Sequence, residues 1–71
     1  MAYDQYLILF RSYAWWVTMD GLRTGPHPSE LIAINAAVLT AQVQERSGHL
    51  AEVFLEGTAI GLPALYKSPT V

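Results

Sequence analysis

The stretch SELIAINAAVLTAQVQERSG, residues 29 to 48, decides the fold. Ser29 suits a helix N-cap, and Glu30 puts a negative charge where the helix dipole favours it. An apolar-periodic run follows. Arg46 favours the C-terminal end of the dipole, and Gly48 supplies a left-handed stop. At about 100° per residue, Leu31, Ile34, Val38 and Ala41 form one stripe, and Ile32, Ala36, Leu39 and Val43 form a second. The apolar arc spans roughly 220°, well above the 100° or so of an ordinary surface helix. The remaining side, with Ala33, Ala37, Thr40 and Gln44, is small and nearly uncharged. A wide core-facing arc, its amides satisfied by neighbouring loops, is one reading. In the other, one stripe packs on the chain's own sheet and the second on another molecule.

Strands flank this helix. QYLILFRS (5–12) and SYAWWVTM (12–19) read as an antiparallel pair joined at about Arg11 to Tyr13, and Asp20-Gly21 is a turn signal. LRTGPHP (22–28) begins as a short strand, but Gly25, Pro26 and Pro28 make its second half a loop. After the helix, HLAEVFLEG (49–57) reads as a third long strand. TAIGLPALY (58–66), broken by Gly61 and Pro63, is at best a short edge strand, and 67–71 is a tail. The expectation is one small α+β domain over 1–71, in the order β-β-α-β with an optional last strand. Its antiparallel sheet of three or four strands carries one helix on one face.

These elements carry a resemblance. An aromatic-x-Val strand (Trp15-x-Val17), a following Gly21, alanines at helical spacing (Ala33, Ala37, Ala41), then Gly48 and an apolar strand through Val53 stand in that order. The chain resembles, over roughly residues 6 to 57, a family of short bacterial β-β-α-β proteins of unknown function. The resemblance implies the fold order and brings no catalytic residue with it.

Composition narrows the function classes. A chain of 71 residues buries only about 60% of the surface its unfolded form exposes. With 52% hydrophobic and 14% charged residues it is composed to fold, and with no cysteine it has neither disulfides nor cysteine-based zinc sites. Oligomerisation or docking on a partner is the remaining way to make up a small core. The net charge is −2, and Arg11, Arg23, Arg46 and Lys67 are scattered, so the electrostatic footprint of a nucleic-acid binder is lacking. MAYDQY has no positive n-region and no apolar run reaches spanning length, so a cytoplasmic protein without a membrane segment is expected.

Strand alternation then sorts side chains by face. Tyr13, Trp15, Val17 and Met19 are assigned to the core with Ala51, Val53 and Leu55. The first strand is apolar on both sides, Tyr6-Ile8-Phe10 and Leu7-Leu9, as for a strand covered from both directions. One helix covers one face. The other face would present Trp16, Leu50, Phe54, Leu7 and Leu9, the expected partner-binding set, with Glu52 and Glu56 keeping that strand soluble.

Chemistry is thin. Neither His27 nor His49 has a second histidine at metal-ligand spacing, and no glycine run cradles a phosphate, so no metal, cofactor or catalytic residue is assigned. Asp20, Arg23 and His27 make a candidate loop site. The expected function is therefore a non-enzymatic protein–protein interaction module, as a homodimer or a stoichiometric inhibitor. The chain is similar in size and economy to the small anti-CRISPR inhibitors of phage. Two other readings remain: a single-stranded nucleic-acid module on the sheet face, and a small dimeric enzyme around Asp20 and His27.

Overall fold

A computed structural model describes residues 3–57 and 64–69. The order is β1 (Asp4–Arg11), β2 (Ala14–Met19), β3 (Leu22–His27), α1 (Glu30–Glu45), β4 (Ala51–Leu55) and β5 (Tyr66–Lys67). The strands make one sheet in the spatial order β3-β2-β1-β4-β5. The α+β class and the single helix on one face are as expected. The sheet differs in having five strands and in being mixed, since β1 pairs antiparallel with β2 but parallel with β4.

The length of the helix explains the parallel pair. β1, β2 and β3 run up, down and up, leaving the chain at the top of the sheet. The 16 residues of α1, about 24 Å long, carry it back to the bottom. The next strand then runs in the direction of β1, and it adds to the open edge of β1.

Residues 22–28, expected to leave the strand conformation at Gly25, stay in β3 as far as His27. As an edge strand, β3 needs only one side of its backbone for pairing, which tolerates Pro26. The register slips by a bulge between Trp15 and Val17, opposite the Gly-Pro step. Gly25 sits at φ +133°, where a Cβ would lie 3.0 Å from the Trp15 carbonyl oxygen and 3.1 Å from the Trp16 ring. Only glycine fits there.

Of the tail expected over 67–71, residues 67 and 68 are tied to the sheet instead, and 70–71 lie outside the described residues. Lys67 pairs with Glu52, and Ser68 is 2% exposed. Ser68 Oγ accepts from the Ala51 N–H (2.9 Å), while the Ser68 N–H donates to the Ala51 carbonyl (2.8 Å). Much of the edge strand expected over 58–66 lies outside the described residues, as 58–63 do. Its last residue, Tyr66, opens β5.

Both hairpin loops are two-residue turns with both central residues at positive φ: Ser12 and Tyr13 (53° and 60°), and Asp20 and Gly21 (52° and 78°). Tyr13, assigned to the core by alternation, is instead 97% exposed at the tip of the first turn. The helix ends are as the sequence indicates. Ser29 Oγ accepts from the Ile32 N–H. At the other end the His49 N–H donates to the Gln44 carbonyl and the Gly48 N–H to that of Glu45, a Schellman pattern around Gly48 at φ +85°.

The core holds Tyr6, Ile8, Val17 and Val53 of the sheet beneath Ala33, Ala37 and Ala41 of the helix. The small side of α1 therefore faces the sheet. Alanines at i, i+4 and i+8 let the helix lie close over Ile8 and Val53, both wholly buried. Trp15, Met19, Ile34, Val38, Leu55 and Tyr66 pack around this centre.

Candidate interaction surface

Strand parity brings four of the expected partner-binding residues together on the face away from α1. Leu9 stands opposite Trp16 across β1 and β2, and Leu7 opposite Phe54 across β1 and β4. Leu50 precedes β4, where its carbonyl accepts from the Asp4 N–H at 2.8 Å. The surface is less open than the alternation suggests. Leu9 is 7% exposed, and Leu7, Trp16, Leu50 and Phe54 are half-buried.

Trp16 already has partners within the chain. Its indole N–H donates to the Arg11 carbonyl at 2.9 Å, and the Arg23 guanidinium lies 5.3 Å from its ring centroid. The Lys67 ammonium similarly stands 4.8 Å from the Tyr3 ring. Each such pair contributes about 0.5–1 kcal/mol where water reaches it. Arg11 makes a bidentate ion pair with Glu56 (2.6 and 2.8 Å), which raises the Arg11 pKa above its ordinary value. Trp16, a ring that could stack on a base, is thus faced by the chain's own Arg23.

Asp20, Arg23 and His27 do not converge. Asp20 lies in the β2–β3 turn, Arg23 leans over Trp16, and His27 is at the far end of β3 opposite Trp15. The length of β3, roughly 17 Å, separates the two ends of the expected loop site. No group of three metal-ligating side chains occurs among the described residues. No helix among them is long and apolar enough to cross a membrane.

Among the described residues, four of the eight exposed large apolar side chains are on the helix. With Ala37 at the sheet, Ile32, Leu39 and Val43 fall about 120° to 160° round the axis on one side, and Leu31 about 120° on the other. Leu31, Ile32, Leu39 and Val43 are 66%, 47%, 62% and 57% exposed. Ile32, Leu39 and Val43 follow one another at i, i+7 and i+11, so they form a ridge along the outer side, flanked by Leu31. The sequence names these residues as stripes but does not choose between them. The alanine spacing was the available signal, because a helix that turns its alanines inward must turn its larger residues outward.

A polar cluster closes the opposite end of α1. The Tyr66 and Ser68 hydroxyls both donate to Glu45 Oε2, at 2.6 and 2.5 Å. The hydrogen bonds from Ser68 and Tyr66 hold the Glu45 pKa below its usual value, and the one to Glu45 raises that of Tyr66. This cluster ties the last strand to the helix.

No family model matches this chain, and neither a curated protein nor a solved structure does.

Proposed function

We propose that the chain is a non-enzymatic protein–protein interaction module whose docking surface is the outer ridge of α1, with a second copy of itself as first partner. The observation that carries this reading is the exposure of Leu31, Ile32, Leu39 and Val43 along one helix. An exposed apolar ridge of this kind marks an interaction site more often than a bare surface. The core adds a reason. Among the described residues, four of the nine buried apolar ones are alanines, which contribute little burial each, so an interface supplies apolar area that the monomer lacks. Charge fits a two-fold pairing of antiparallel helices. In such a pair the helix dipoles oppose favourably.

The test is solution mass by light scattering after gel filtration, over a range of concentrations. The expected result is twice the 7.8 kDa chain mass for the natural sequence and the single-chain mass for Leu39→Glu, with unchanged circular dichroism. A natural chain that is monomeric throughout overturns the self-pairing. Capture of a foreign protein by the natural chain but not by Leu39→Glu would then place the ridge in a stoichiometric inhibitor.

A further inference from the structure

On the flank of α1 that overhangs β2 and β3 there is a cleft of about 240 Å³, separate from the outer ridge. Val17, Met19 and Leu22 line its sheet side, and Ala36 and Ala37 its helix side. Thr24, Thr40 and Gln44 are the polar side chains around it. Both threonine hydroxyls are turned to backbone: Thr40 donates to the Ala36 carbonyl (2.9 Å), Thr24 to that of Val17 (3.4 Å). The threonines therefore contribute mainly their methyl groups. Tyr6 also lines the cleft. It is 3% exposed, and its buried hydroxyl has no hydrogen-bond partner among the described residues. A hydroxyl out of water without a partner costs free energy, and such groups in folded proteins call for an explanation.

We propose that this cleft is a binding site for a compact, neutral, largely apolar molecule carrying one hydrogen-bond acceptor, which receives the Tyr6 hydroxyl. Size sets the class. The volume exceeds the 150 Å³ or so that holds a benzene ring and falls short of the roughly 300 Å³ at which drug-sized pockets begin. A single ring with a short substituent fits. Electrostatics sets the charge. Burial, Asp4 and Asp20 all raise the Tyr6 pKa, so the phenol stays a donor at neutral pH, and the field of the two carboxylates disfavours an anion. Met19 gives the wall a flexible side chain that can move aside for the ring.

The probes are acetophenone, which has one carbonyl acceptor on a ring, and benzoate, of similar shape but charged. Amide shifts of the full chain are followed by NMR during titration. The expected result is saturable shifts at Thr24, Ala36, Ala37, Thr40 and Gln44 with acetophenone, at a Kd of around 1 mM for so small a molecule, and none with benzoate. Tyr6→Phe keeps the ring and removes only the unpaired hydroxyl, so it folds, and it should weaken acetophenone about five-fold. Ala36→Leu, which fills the cleft from the helix side, should abolish the shifts. If acetophenone gives no saturable shifts well above that concentration, the cleft holds water only and the proposal fails. It fails equally if Tyr6→Phe binds as tightly as the natural chain, or if the shifts map to Leu31, Leu39 and Val43.

Discussion

Glu45 holds two hydroxyls on one carboxylate oxygen, and both come from the last strand segment. Because its pKa is lowered in the fold, the stabilisation is present above its unfolded value near 4.5 and is lost as pH falls through the lower folded value. The thermal midpoint of the natural chain should therefore drop as pH falls below about 4.5, and Glu45→Gln should flatten that acid limb while lowering the midpoint at neutral pH. An acid limb unchanged by the substitution would mean that Glu45 does not link β5 to α1. The adjacent tryptophans show what alternation can and cannot read. Trp15 packs on the core beside Phe10, with ring centroids 5.0 Å apart, and Trp16 is on the other face as expected. Arg23 and the Arg11 carbonyl were not expected as partners for Trp16, because neither contact follows from period or composition. The Arg23 contact depends on the β2–β3 register, and the Arg11 one on the pairing of β1 with β2.

At the scale of elements, one turn is legible and its twin is not. Asp20-Gly21 carries the residues that a two-residue turn with positive φ requires, whereas Ser12-Tyr13 adopts the same geometry without them. A left-handed conformation costs an L-residue about 1–2 kcal/mol, and the Tyr13 side chain is almost wholly exposed. Tyr13→Gly should thus raise stability by about 0.5 kcal/mol in urea unfolding, after the extra entropy of a glycine is counted. A loss of stability would show that Tyr13 has a contact worth more than the strain. The helix poses the opposite case, in which small residues decide. Ala37 is 1% exposed between α1 and the sheet, so Ala37→Leu should destabilise by about 2 kcal/mol or more, by overpacking. The same change at Thr40, exposed on the flank, should cost far less. Equal costs would contradict the alanine-inward orientation.

Across the whole molecule, the balance between a small core and a large apolar surface governs behaviour. Nine buried apolar residues among those described, four of them alanine, make a small core for a fold without disulfides. If two copies pair through the ridge, the urea midpoint should rise with protein concentration, and that dependence should vanish in Leu39→Glu. A midpoint independent of concentration in both chains would place the stability wholly within the monomer. The open sheet face contributes differently. With Leu9 buried and Trp16 occupied by Arg23, it is closer to a second, thinner core layer than to a bare platform.

The sequence by itself determined the elements whose signals are local. These are the capped helix from Ser29 to Gly48, the strands through Ile8, Val17 and Val53, the Asp20-Gly21 turn, and which residues of each strand share a face. Tertiary structure alone decided how they combine. The parallel direction of β4 relative to β1 follows from where a 24 Å helix returns the chain, not from any pattern within β4. The retention of Gly25 and Pro26 in β3 follows from its position at an edge, and the burial of Ser68 from its reciprocal bonds with Ala51. The choice of helix face is of the same kind. Hydrophobicity favours burying leucine and valine, but the close approach of α1 over Ile8 and Val53 admits only alanine, and it turns Leu31, Ile32, Leu39 and Val43 outward.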